Sequence, residues 1–311
     1  MKRFNNILAV YNQLPGDEAT LKRATALARR NSARLTVVEA NEDFGGTERM
    51  TAILSEAASR VAAERQAHLE RLIVSIRRQG VEVSAAVLSG SPFLAIIRAV
   101  LREKHDLVMI TAEAQGSFKR VLFGSTSMHL MRKCPCPVWV TDPDQKSDSY
   151  SRILAAVDTY TPGETKRALN TLIMDLSTSL ARMEQSELHV VHALEANRHQ
   201  GEISRSEMTR DSKGRLTRIN EEAPRGHVDE LLGRYDLTYL RYQVHMVQGQ
   251  PRSVIPQVAA ELQTDLLVMG TVSRTGIAGL FIGNTAETVL RQVECSVLTV
   301  KPAGFVTPVT V

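Results

Sequence analysis

Three cysteines in 311 residues are too few for a disulfide framework, and no run of ~18 or more apolar residues offers a membrane span. The start, Met1-Lys2-Arg3-Phe4-Asn5-Asn6, leads directly into a strand-like run without the apolar stretch of a signal peptide. The expectation is a cytoplasmic protein with no membrane partner. An excess of one charge is missing too: 38 basic residues stand against 34 acidic ones, net +4, and no basic stripe is interleaved with aromatics. Nucleic acid is therefore not an expected partner.

Catalytic arrangements are equally scarce. No Ser–His–Asp or Cys–His arrangement can be defended, and His68, His105, His189, His199, His227 and His245 show no catalytic spacing. There is no P-loop lysine, and no acidic pair for magnesium besides Asp158. Cys134-x-Cys136 with His129 upstream lacks the spacing of a closed zinc site, so no metal is expected. Cys136 and Cys295 occupy equivalent places entering a strand, where a small buried hydrophobe fits.

What the chain does contain is a repeat. Gly90 to Val140 and Gly249 to Thr299 superpose without a gap at an offset of 159 residues. Gly90 falls on Gly249, Pro92 on Pro251, Asp106-Leu107 on Asp265-Leu266 and Gly124 on Gly283. Further on, Thr126 falls on Thr285, Arg132 on Arg291, Cys136 on Cys295 and Val138 on Val297. The length agrees with two domains at about 150 residues each. We place one at 1–143 and a second at 150–303, with a polar linker between them and a tail, 304–311, draped over the surface.

Each half alternates β-branched runs with longer amphipathic stretches, which predicts an α/β fold with a parallel sheet and crossover helices. Strands are expected at Ile7–Tyr11, Leu35–Glu39, Val81–Leu88, Asp106–Thr111 and Val138–Thr141, with helices at Asp17–Asn31, Arg49–Arg78, Pro92–Glu103 and Val121–Arg132. In the second half strands are expected at Ile153–Val157, Leu188–Ala193, Tyr242–Val247, Leu266–Gly270 and Ser296–Val300. The matching helices are Glu164–Met183, Val228–Arg234, Ser253–Leu262 and Ala286–Gln292. Pro92 suits a first helical turn, and Gly80 after Arg77-Arg78-Gln79 suits a helix end.

Ligands of open parallel sheets bind beyond the carboxyl ends of the strands. In the second half those positions are Asp158-Thr159, the stretch Gly270 to Gly276, and Gly283-Asn284-Thr285-Ala286-Glu287. Small residues that let backbone N–H groups approach an anion make a phosphate cradle. The same residues equally describe a turn followed by a helix cap, with no ligand.

At this point the second half resembles a universal stress protein domain. Nucleotide-binding members of that family carry Gly-x-x-Gly, nine residues, then Gly-Ser or Gly-Thr, with an aspartate closing the first strand. Ile153-Leu154-Ala155-Ala156-Val157-Asp158 falls on the opening strand and its aspartate, Gly270 on the first glycine and Gly283 on the last. Val191-His192-Ala193 falls where the family lines its adenine pocket. Ser273 replaces the middle glycine, and Asn284 the final Ser/Thr, which moves to Thr285. The first half is also similar to tandem members of the family, through Arg132 to Trp139, and the resemblance covers essentially the whole chain.

The resemblance implies two tandem Rossmann-like (adenine nucleotide alpha hydrolase-like) domains, each a five-stranded parallel sheet, packed as a pseudo-dimer. It implies ATP as the candidate ligand of the second half, held by Asp158, His192, Ala193, Gly270, Ser273, Arg274, Gly283, Asn284 and Thr285. In the first half Asn12 stands for the aspartate, Thr111 and Ala114 for the glycines, and Glu113 repels phosphate; only Gly124-Ser125 keeps the closing pair. That half is expected not to bind nucleotide. The polar insert 197–222 either folds over the second site, bringing an arginine to an anion, or is a solvated loop. Its first-half counterpart, Asn41 to Gly46, is acidic.

Three functions compete. The leading one is a non-catalytic stress-response protein that binds a small anionic ligand in its second half and acts through regulatory proteins, with homodimerisation open. The second is an enzyme that hydrolyses ATP or transfers a phosphoryl group there. The third is an interaction module with empty pockets, working through strand edges near Val138 and Val297.

Overall fold

The computed structural model describes residues 4–40, 51–114, 121–145, 147, 149–159, 163–195, 225–271 and 283–310. Contacts divide them into two units. The first takes the described residues up to Ser147 together with Phe305 to Thr310; the second takes Ser149 to Thr271 and Gly283 to Gly304.

In the first unit the β-branched runs form β1 (Asn6–Val10), β2 (Arg34–Ala40), β3 (Val83–Leu88), β4 (Leu107–Thr111) and β7 (Val138–Thr141). The amphipathic stretches form α1 (Asp17–Asn31), α2 (Thr51–Arg78), α3 (Pro92–Glu103) and α4 (Ser125–Lys133). The strands pair in parallel in the order β7-β4-β1-β2-β3. Every residue of β1, β4 and β7 is buried, as a sheet covered by helices on both faces requires. The outer strand β3 is capped from α2: the Gln66 amide donates to Ala85 O (3.0 Å) and accepts from Val87 N–H (3.1 Å). This side chain occupies edge groups that would otherwise invite another strand.

The second unit repeats the plan with β8 (Arg152–Ala156), α5 (Glu164–Glu184), β9 (Glu187–Leu194), β10 (Tyr242–Gln248), α7 (Pro251–Glu261), β11 (Leu266–Gly270), α8 (Asn284–Leu290) and β12 (Ser296–Val300). A helix over 225–232, α6, precedes β10. The order β12-β11-β8-β9-β10 is again parallel throughout. The repeated Asp-Leu has a structural purpose. Asp106 accepts the N–H groups of Asn5 (2.6 Å) and Asn6 (3.0 Å), and Asp265 those of Ser151 (2.7 Å) and Arg152 (2.8 Å). Each carboxylate ties the first strand of its sheet to the fourth.

Several expected boundaries move. The helix expected from Val121 begins only at Ser125, because Val121–Leu122 (β6) pair antiparallel with Glu113–Ala114 (β5). The apolar residues that look like a first helical turn are used by this two-strand ladder. α7 starts at Pro251, whose missing N–H is harmless in a first turn. α8 spans Asn284–Leu290 rather than 286–292, and α6 spans 225–232 rather than 228–234. The tail forms neither helix nor strand up to Thr310; Val309 is buried, and Arg98 Nε donates to Thr310 O at 3.2 Å. Among the described residues no helix is long and apolar enough to cross a membrane.

Candidate functional site

Strand order reverses at β8, which has β11 on one side and β9 on the other, so a crevice opens beyond its carboxyl end. Asp158 leaves the strand there, held at the backbone by Asn170 of α5. The Asn170 Oδ1 accepts the Asp158 N–H (3.1 Å) and its Nδ2 donates to Asp158 O (2.8 Å). The Asp158 carboxylate remains 37% exposed and pairs with Lys166 Nζ at 3.0 Å. On β9, the buried His192 places Nδ1 3.1 Å from Val157 O, so this nitrogen carries the proton. Ala193 follows it, half-buried.

Gly270 closes β11. A Cβ there would lie 2.7 Å from Leu169 Cδ2, so close packing of α5 on the sheet already demands glycine at this position. The next residue, Thr271, ties three parts together. Its N–H donates to Val300 O (3.1 Å), its carbonyl accepts from Gly283 N–H (2.8 Å), and its hydroxyl lies 3.1 Å from Lys301 Nζ. Gly283 caps α8 at an ordinary φ of −61°, with Asn284 exposed and Thr285 half-buried in the first turn. Topology thus gathers Asp158, His192, Ala193 and Gly270 at one sheet edge, and Thr271 ties Gly283 to it, with Asn284 and Thr285 next in the chain. Ser273, Arg274 and the insert 197–222 lie outside the described residues.

The corresponding edge of the first unit is filled by its own side chains. Asn12 Oδ1 accepts the Ala40 N–H (2.9 Å), while Asp17 Oδ2 accepts those of Asn12 (2.7 Å) and Leu14 (2.9 Å). Thr111, where the second unit has Gly270, shares a hydrogen bond between hydroxyls with Thr20 (2.8 Å), which also bonds Thr141. Gly124 is covered by the Glu113 carboxylate, which takes the space a Cβ or a ligand atom would need. Glu39, at the place of His192 and only 2% exposed, pairs with Arg65 at 3.2 Å. Burial raises the Asp142 carboxyl, and burial followed by Glu18, Asp17 and Glu39 raises Tyr11. The acidic loop Asn41 to Gly46 lies outside the described residues.

Sequence reasoning missed Lys166, Asn170 and Lys301, and took Thr271 only as part of the loop that follows β11. Lys301 had a readable signal, a charge ending an apolar strand just before Pro302. Asn170 had none, because its partner lies across a helix turn and a strand end. Cys134 and Cys136 are buried free thiols with their sulfurs 3.5 Å apart, and Cys295 is buried as expected. Among the described residues no group of three or more His, Cys, Asp or Glu could hold a metal ion.

Comparison with known proteins joins these observations. The model of the universal stress protein family matches residues 3–142 and 149–301. Universal stress protein E of Escherichia coli K12 is 31% identical over 325 residues, covering 99% of this chain and 98% of its own. The protein of the same name from Photorhabdus laumondii is 28% identical over 99% and 98% of the two chains. A crystal structure from Pseudomonas aeruginosa superposes with a TM-score of 0.72 at 26% identity, over 97% of this chain and 94% of that one. A universal stress protein from Archaeoglobus fulgidus shares the fold at 18% identity and a TM-score of 0.63, over 96% and 99% of the two chains.

Proposed function

The chain belongs to the universal stress protein family as a tandem member, both halves being matched by the family model, and from that premise we propose that it is a non-catalytic cytoplasmic stress-response protein that holds ATP at the carboxyl edge of its second sheet and acts through partner proteins. The observation that carries the reading is Asp158. Its backbone is fixed from both sides by Asn170, yet its carboxylate stays 37% exposed at the strand-order reversal. A rigid backbone with an accessible acceptor is what orienting a ligand's hydroxyl or amino groups needs.

In this reading His192 and Ala193 line the base, Asp158 accepts hydrogen bonds from the nucleoside, and the phosphates run past Gly270 toward Gly283, Asn284 and Thr285. The first unit is refused as a nucleotide site on charge: Glu39, Glu113 and Asp142 sit on or beside its corresponding edge, and carboxylates oppose a triphosphate.

Isothermal titration of ATP, ADP and AMP into the full chain tests this. One ATP per chain is expected, with affinity reduced about tenfold or more by Asp158→Ala and by Gly283→Val. No heat with any of the three nucleotides overturns the reading. Two equivalents per chain would return the first unit to the list of sites. Phosphate release above a protein-free control, abolished by Asp158→Ala, would turn the binder into an enzyme.

A further inference from the structure

The two units carry opposite charges at one position. Ala112 N–H donates to Thr141 O (2.9 Å) as Thr271 N–H donates to Val300 O (3.1 Å), and Thr111 pairs with Thr141 as Gly270 pairs with Val300. The residues that follow Thr141 and Val300 are therefore equivalent: Asp142 in the first unit, Lys301 in the second. Beside Asp142 stands Ala112, without a hydroxyl; beside Lys301 stands Thr271, with one 3.1 Å from the ammonium. Lys301 is only 6% exposed, and Thr271 1%. An anion is thus exchanged for an oriented cation at the carboxyl edge of the sheet, one residue beyond Gly270, and the same Thr271 holds the N–H of Gly283 through its carbonyl.

We propose that Lys301, oriented by Thr271, supplies the positive charge that makes the second unit select phosphate-bearing ligands, and that Asp142 is the matching exclusion in the first. The inference rests on the nucleotide reading for where the ligand lies, and adds which part of it is discriminated. The Thr271 hydroxyl, 3.1 Å from Nζ, helps to fix the direction of the ammonium. Charge-assisted hydrogen bonds to phosphate oxygens are stronger than neutral ones and are little screened at a buried ammonium, so Lys301 acts on the phosphates and leaves the nucleoside alone. An unphosphorylated nucleoside gains nothing from it.

The full-length chain is titrated with ATP, adenosine and inorganic tripolyphosphate, as wild type, Lys301→Met and Lys301→Arg. Lys301→Met is expected to weaken ATP about 10- to 100-fold while leaving adenosine within about twofold, and to flatten the dependence of ATP affinity on salt. Lys301→Arg is expected to restore ATP to within about fivefold of wild type. If Lys301→Met does not fold by circular dichroism, Lys301→Gln takes its place, keeping a donor for Thr271 without the charge. Equal losses for ATP and adenosine, or no loss for ATP, overturn the proposal. Tripolyphosphate binding that depends on Lys301, with adenosine silent and ATP no tighter than tripolyphosphate, leaves Lys301 standing and removes the nucleotide reading. A wild type that binds neither ATP nor tripolyphosphate removes both.

Discussion

In the first unit His105 Nε2 lies 3.1 Å from the Thr36 hydroxyl, and in the second unit the same two positions hold the same residue types exchanged, His189 for Thr36 and Thr264 for His105. Thr36 pairs with Leu8 of β1 as His189 pairs with Leu154 of β8, while His105 and Thr264 each precede the tethering aspartate. The exchange changes the bonding. Thr36 also receives Ser84 Oγ at 3.4 Å, whereas His189 turns Nδ1 to His245 Nε2 at 3.1 Å and leaves its own Nε2 and the Thr264 hydroxyl buried without a hydrogen bond.

That imidazole pair predicts an acid-sensitive second unit. One ring must accept the shared hydrogen, so the bond needs at least one neutral imidazole. His189 is lowered from the ordinary value by burial and then by His245, with Glu187 opposing and Arg152 adding; His245 is lowered by burial, with Glu261 opposing. A histidine whose folded pKa lies below its unfolded one binds fewer protons when folded. Stability is then full above the unfolded value of about 6.5 and declines as pH falls through it. The midpoint of thermal unfolding, followed by circular dichroism from pH 8 to pH 5.5, should fall less steeply in His245→Gln than in wild type, by about 2–4 °C over that range. Identical slopes would rule the pair out. His105 and His129 are lowered as well, both chiefly by burial, so wild type retains some acid sensitivity in either case.

Three glycines should rank by what a methyl group would meet. At Gly16, φ is +87° and a Cβ would lie 2.6 Å from the Pro143 Cα, a backbone atom that cannot step aside; Gly16→Ala should cost about 3 kcal/mol or more. At Gly270 the obstacle is the buried Leu169 side chain, whose Cδ2 and Cγ would lie 2.7 and 3.2 Å from the Cβ, and the cost should be about 1–3 kcal/mol. At Gly124 it is the end of the flexible Glu113 side chain, which can swing away, and the cost should be about 1 kcal/mol or less. Urea unfolding of the three variants gives the order directly, and a Gly124→Ala as damaging as Gly16→Ala would mean that Glu113 is rigidly held.

Thiol reactivity should separate packing from redox chemistry. Cys134, Cys136 and Cys295 are buried and form no disulfide, and the Cys136 thiol is pushed well up, first by its hydrogen bond with Cys134 and then by burial. An aromatic disulfide reagent should react with three thiols in denaturant and with none rapidly in the native protein. A fast native thiol would show that the segment carrying that cysteine, for Cys136 the bend that leads into β7, opens locally.

Much of the fold is legible in the chain, because fully buried parallel strands need unbroken β-branched runs and the helices between them need caps. Strand positions follow from those runs, and the offset of Gly90 to Gly249 holds through β4/β11 and β7/β12. What escapes is contact made at a distance. Val121 and Leu122 look like helix until their partners, Ala114 and Glu113, are known. Gly270 reads as a phosphate-approach glycine, yet Leu169 alone is reason enough for it. Lys301 reads as a strand-exit charge until Thr271 and the equivalence with Asp142 are visible, and Glu113 reads as a loop acid until it is seen over Gly124.

The clamp on the first strand of each sheet offers a test that tells folding from binding. Asn170 holds the Asp158 backbone in the second unit, and Asp17 holds the N–H groups of Asn12 and Leu14 in the first. Both residues are at least 95% buried, so removing either leaves strand-end groups short of partners at a cost of about 1–3 kcal/mol. Asn170→Ala should therefore lose stability and ATP affinity together, since Asp158 is no longer oriented. Asp17→Ala should lose comparable stability with ATP affinity unchanged. The Lys166–Asp158 pair is partly exposed and worth roughly 0–1 kcal/mol, so Lys166→Ala should barely alter stability while changing ATP affinity through the loss of the cation beside Asp158. Urea titrations paired with calorimetry on the three variants check all of this. Equal effects of Asp17→Ala and Asn170→Ala on ATP would show that the second unit's site reports global stability rather than the position of Asp158.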